Sequence, residues 1–218
     1  MLTALALCAG VLGVLVGHLV NRAAGRFPWG QPASGGAVAV RLPAVEVGTA
    51  LLFVLAVLRF GLSWELPAFL FMAAAGVLLG VIDLQHRLLP NRVVVPALGI
   101  AAAFLVLAAA TEQDWPALVR AGLGAVVLFA VFLVLALIAP SGLGMGDVKL
   151  AALLGLYLGW IGWDAVAIGA AGGFVIQAAV ALSLLATRRI GLQGELPFGP
   201  AMLLGAVLAI GLGDSLLH

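Results

Sequence analysis

Eight apolar stretches, nearly free of charge and separated by short polar loops, leave this 218-residue chain few ways to fold. They cover about residues 2–20, 43–58, 66–82, 93–110, 118–139, 148–162, 165–186 and 198–212. Each is near the roughly 20 residues that carry a helix across a bilayer. Only 9% of the residues are charged, against roughly 25% in a soluble domain, so there is too little polar surface to wet a globule of this size. The expected fold is all-α, a polytopic membrane helical bundle of about eight transmembrane helices. The sixth and eighth stretches are short, which leaves counts of six or seven open. Between Leu150 and Thr187 only Asp164 is charged, and the run is too long for one crossing. A tight hairpin at Gly162-Trp163-Asp164 is expected to divide it.

The loops carry an orientation. Arg22, Arg26, Arg41, Arg87, Arg92, Lys149, Arg188 and Arg189 fall on loops of one side, and only Arg59 and Arg120 on the other. Cytoplasmic loops collect the basic residues, so the first side is read as cytoplasmic. Cys8 is the only cysteine, which excludes an intrachain disulfide and a cysteine zinc cluster. The three histidines, His18, His86 and His218, are too scattered for a metal site. The five tryptophans lie near stretch ends, where an interfacial belt normally sits. Nothing suggests a nucleic-acid partner. Residues 1–218 read as one membrane-embedded domain, with a shortened cytoplasmic loop at 21–42.

Two carboxylates stand where apolar stretches break into polar loops. Asp83 closes the third stretch, seven positions before Pro90, which disfavours helix at Leu89. Asp147 follows Gly142, Gly144 and Gly146, and the sixth helix is expected to begin at or just after it. A carboxylate at that helix start is favoured by the dipole, by up to about 1 kcal/mol. Bare carboxylates beside lipid are costly, so both residues ask for a function. Two carboxyls sharing one site cannot both ionise cheaply. One stays protonated and one charged, the division of labour that hydrolysis of a peptide bond requires.

The sequence around them resembles the type IV prepilin peptidases, a family of GxGD-type membrane aspartic peptidases. GMGDVKLAALLGLYLGW (144–160) looks like the family's second catalytic motif, and IDLQHRLLPN (82–91) like its first. GHLVNRAAGRFP (17–28), RLPAVEVGTALLF (41–53) and PFGPAMLLGA (197–206) are similar to three further family segments, in family order. The resemblance implies Asp83 and Asp147 as the catalytic pair, with Gly144 and Gly146 shaping the second loop. Lys149 matches a basic residue just after the motif, placed to offset local negative charge or to anchor the cytoplasmic end. It further implies a multi-pass protein of the plasma (inner) membrane whose active site faces the cytoplasm. There it would remove the basic leader from prepilin or pseudopilin precursors, after a glycine, with the precursor's apolar helix lying alongside in the lipid bilayer.

Many members carry a long cytoplasmic insert with paired CxxC motifs, where this chain has only residues 29–40. It is a short form without that cysteine-rich element. No cofactor is expected for hydrolysis, and S-adenosylmethionine only if the family's second activity, methylation of the new N-terminus, is retained. Asn21 and Glu46 still match family positions near that activity. Two rival readings are a small polytopic transporter or channel, with carboxylates at mid-span, and a catalytically idle partner in pilus or secretion assembly. The oligomeric state is not legible.

Overall fold

A computed structural model describes residues 2–29, 38–41, 43–139, 143–188 and 196–212. Residues 31–37, Gly142, Arg189 and His218 lie outside them. Among the described residues the chain forms eight helices and no strand. They are α1 (Leu2–Gly25), α2 (Ala44–Phe60), α3 (Leu66–His86), α4 (Asn91–Glu112), α5 (Trp115–Ile138), α6 (Met145–Ile161), α7 (Trp163–Ala186) and α8 (Gly199–Leu212). Each apolar stretch becomes one helix. The hairpin falls at Gly162, the single residue between α6 and α7.

Helix α1 runs on from Val20 to Gly25, past the point where the apolar stretch ends. Asn21, the first polar residue there, is buried with its amide fully engaged, so it belongs to the interior and not to a loop. Turn chemistry sets other ends. Asp114 caps α5 by accepting from the Ala117 N–H at 3.0 Å, with Pro116 in the first turn.

Helices α1, α3, α4, α5 and α7 are long and apolar enough to cross a membrane. Leu7, Val126, Leu137 and Val175 lie exposed on the outside of the bundle. An exterior that apolar matches lipid and not water. The chain is a multi-pass membrane protein.

Helix α6 has 17 residues and is wrapped by its neighbours: every residue from Leu150 to Trp160 is buried. Glycines allow this. A Cβ at Gly124 of α5 would lie 2.5 Å from the Gly155 carbonyl oxygen, and one at Gly159 would lie 2.6 Å from that of Arg120. The two backbones therefore touch, as suits helices that must associate in lipid by close packing. The end of α6 is held by polar contacts. Arg120 donates to the carbonyls of Gly159 (2.7 Å) and Trp160 (2.6 Å), which no further helical turn satisfies. The Tyr157 hydroxyl donates to the Ala68 carbonyl at 2.9 Å, and the Trp160 indole to Glu65. Trp160 is thus a buried tie from α6 to the residue that precedes α3, not part of an interfacial belt. Trp64, Trp115 and Trp163 are exposed.

Gly155→Val is expected to lower stability by about 1–3 kcal/mol or more, because the added side chain overpacks the α5–α6 contact. Gly122→Ala, on the same helix α5 where a Cβ meets nothing within 4 Å, should melt like the unaltered protein. Thermal unfolding in detergent checks both.

Candidate active site

Asp83 sits in the last turn of α3 and is only 5% exposed. The helix stops because Arg87 turns left-handed (φ 51°), letting its N–H donate to the Asp83 carbonyl at 2.8 Å. Residues 88–90 are non-helical, as Pro90 requires of its predecessor, and α4 begins at Asn91.

Asp147 is the third residue of α6 and is 9% exposed. The helix begins at Met145, two residues ahead of the start expected from the glycine run. The reason lies in Asp147 itself: its Oδ2 accepts from the Gly144 N–H at 3.0 Å and so caps the turn that precedes it. Gly146 is consequently helical. A Cβ there would lie 2.8 Å from that of Leu89, so glycine is what allows α6 to lie against the 88–90 connection. Gly144 has room, since its Cβ would stand 3.6 Å from Asp147 Oδ2, and its backbone is extended (φ −84°, ψ 157°).

The beginning of α8 completes the site. The Gly199 N–H donates to Asp83 Oδ2 at 3.1 Å, and a Cβ at Gly199 would lie 2.7 Å from that oxygen and 3.6 Å from Leu150 of α6. The two aspartates are within electrostatic reach of each other. The structure thus brings Asp83 and Asp147 to one place, where the end of α3 meets the starts of α6 and α8. Lys149 turns elsewhere. Its Nζ donates to Asn91 Oδ1 at 2.7 Å, which ties the first turns of α6 to the start of α4 and leaves Asp147 to the Gly144 N–H.

The connection from α1 to α2 leans on the same end of α3. Gln85 Nε2 donates to the Ala39 carbonyl at 2.7 Å, and the rings of His86 and Phe27 stand 4.9 Å apart. Asn21 Nδ2 donates to the Val40 carbonyl (2.9 Å) and to Glu46 Oε1 (3.0 Å), while its Oδ1 accepts from the Val40 N–H (2.9 Å). His18 Nδ1 lies 3.5 Å from Glu46 Oε1.

The family model of the type IV leader peptidases matches residues 70–218, which include both aspartates and Gly199. Over 188 residues the chain is 35% identical to the prepilin leader peptidase/N-methyltransferase of Bacillus subtilis, covering 84% of this chain and 71% of that protein. The chain belongs to the type IV leader peptidase family. Proteins of the same description from Pseudomonas putida and Pseudomonas aeruginosa are 34% and 31% identical, over 82% and 83% of this chain. The chain spans 61% of the length of each of those two. No solved structure matches. Gly199 is the contact that the sequence does not announce. Its Gly-Pro pair signals a helix start, but nothing in it says which side chain that start will meet.

Gly146→Ala should cost about 1–3 kcal/mol through overpacking against Leu89, whereas Gly144→Ala should be near neutral. The contrast is read by thermal unfolding of the two variants in parallel. Gly199→Ala is expected to keep the fold but to lower peptidase activity by about tenfold or more, because the methyl displaces the Asp83 carboxyl. A wild-type rate for a folded Gly199→Ala protein would remove α8 from the site.

Proposed function

We propose that this chain is a membrane aspartic endopeptidase that cuts the leader from prepilin-type precursors, with Asp83 and Asp147 as its working pair. The observation that carries the reading is that two buried carboxyls stand where the end of α3 meets the starts of α6 and α8, in a chain of the leader peptidase family. One oxygen of each carboxyl is held by a backbone N–H, from Gly199 and Gly144. The other oxygen of each is left for water and for the scissile carbonyl. The charged member draws a proton from water while the protonated member donates to the carbonyl oxygen. The water oxygen adds to the carbonyl carbon. As the C–N bond breaks, the amine takes the proton drawn from water and the gem-diol hydroxyl returns a proton to the other carboxylate, so the pair regains its starting state. Because the two groups titrate together, the single proton belongs to the pair.

We place the pair at the cytoplasmic face of the plasma membrane. Arg22, Arg26, Arg87, Arg92, Lys149 and Arg188 lie at or near the helix ends on that side of the chain's path, as the excess of basic residues on cytoplasmic loops demands. Hydrolysis by this pair calls on no cofactor. S-adenosylmethionine enters only if the chain also methylates the product. Although Asn21 and Glu46 are joined, the cysteine-rich insert is missing, and we read the chain as a peptidase alone.

Asp83→Asn and Asp147→Asn should each lower cleavage of a membrane-embedded prepilin by about 10²-fold or more without lowering the melting temperature. Wild-type rates in both would end the assignment. Mass spectrometry of the mature N-terminus made by this protein alone should find a free amine, and a methylated product would refute the single-activity reading.

A further inference from the structure

We propose that the trough between α2 and α8, floored by α3, seats the apolar helix of the precursor; the proposal rests on the peptidase reading above. The trough encloses about 730 Å³. Gly48 and Leu55 of α2 form one wall, Leu203 and Leu204 of α8 the other, and Gly76 and Gly80 of α3 lie beneath. Of the described residues that line it, Arg59 alone is charged, and it marks one end. There its Nε donates to the Ile210 carbonyl at 3.3 Å, joining α2 to α8 and closing the trough. At the opposite end the lining includes Leu84 and Pro200, the chain neighbours of Asp83 and Gly199. The trough therefore runs along the bundle and stops at the carboxyls.

Its dimensions and chemistry select the occupant. Helix α2 has 17 residues, about 25 Å at roughly 1.5 Å per residue, close to the roughly 30 Å of a bilayer's hydrocarbon. A wall whose single charge lies at one end, with Arg59 donating to the Ile210 carbonyl, offers little along its length to orient a polar ligand. A backbone lying in it must satisfy its own hydrogen bonds, which in lipid means a helix. Close approach of a second helix needs a wall without bulk. A Cβ at Gly48 would meet nothing within 4 Å, so that glycine leaves its backbone open to a visitor. A helix entering from the lipid and halted at the Arg59 end would bring its other end to Leu84 and Pro200. The trough then acts as a stop that sets which peptide bond, just outside the apolar segment, reaches Asp83 and Asp147. Lipid chains are the competing occupant.

Photocrosslinking in phosphatidylethanolamine–phosphatidylglycerol vesicles separates the two. In full-length protein carrying Cys8→Ser and Asp147→Asn, a benzophenone maleimide is placed at Gly48→Cys, at Leu204→Cys, or at Val126→Cys on the lipid-facing side of α5. With an intact prepilin, irradiation should yield about tenfold more precursor adduct, or better, from positions 48 and 204 than from 126. The adducts should map to the apolar segment. Equal yields at all three positions, or lipid adducts alone at 48 and 204, would overturn the proposal. If Asp147→Asn still cleaves the precursor, the catalytic reading fails by itself, and the crosslink map still decides the trough.

Discussion

A carboxyl group buried in a helical bundle must find hydrogen-bond donors, and here the starts of two helices supply them. Asp83 takes the N–H of Gly199 and Asp147 that of Gly144. Such N–H groups lack helical partners and carry the positive end of the dipole. Much of the architecture follows from this requirement. Helix α3 has to end, and α6 and α8 have to begin, at one level of the bundle. The connections that make this so are the left-handed turn at Arg87, the extended Gly144 and the Gly-Pro start of α8.

The two carboxyls ride on elements of different character. Asp147 belongs to a helix enclosed by others, joined to α5 backbone to backbone and tied at its far end by Arg120, Tyr157 and Trp160. Asp83 belongs to α3, which forms the floor of the apolar trough between α2 and α8. One half of the pair is embedded in the most constrained part of the molecule. The other lies at the end of the apolar trough, next to the lining residue Leu84.

Much of this is legible in the amino-acid order, for identifiable reasons. Apolar stretches divided by glycine, proline and charge mark all eight helices, because lipid permits little besides helix. Asp83 and Asp147 stand out because charge is so rare elsewhere. Legibility fails where contacts depend on the backbone or on a single tertiary bond. The Gly199 N–H would read the same in any residue's peptide group. The start of α6 falls earlier than the glycine run suggests because Asp147 caps its own helix. Trp160 reads as interfacial from its position at a stretch end, but its indole meets Glu65, 95 positions away. Val20 looks like the end of α1 because hydropathy registers Asn21 as polar and not as the centre of a buried amide network.

That network has a consequence for how such chains vary in size. Asn21 holds Val40 by both amide and carbonyl, in the manner of a strand pairing with itself across a gap. Whatever is threaded between Trp29 and Val38 leaves from and returns to a fixed socket. Additional sequence spliced in at that point would begin and end beside residues that hydrogen bonds already hold, Trp29 to the Ala23 carbonyl and Val40 to Asn21. Kinship can thus persist through the helices while the outboard portion is gained or lost.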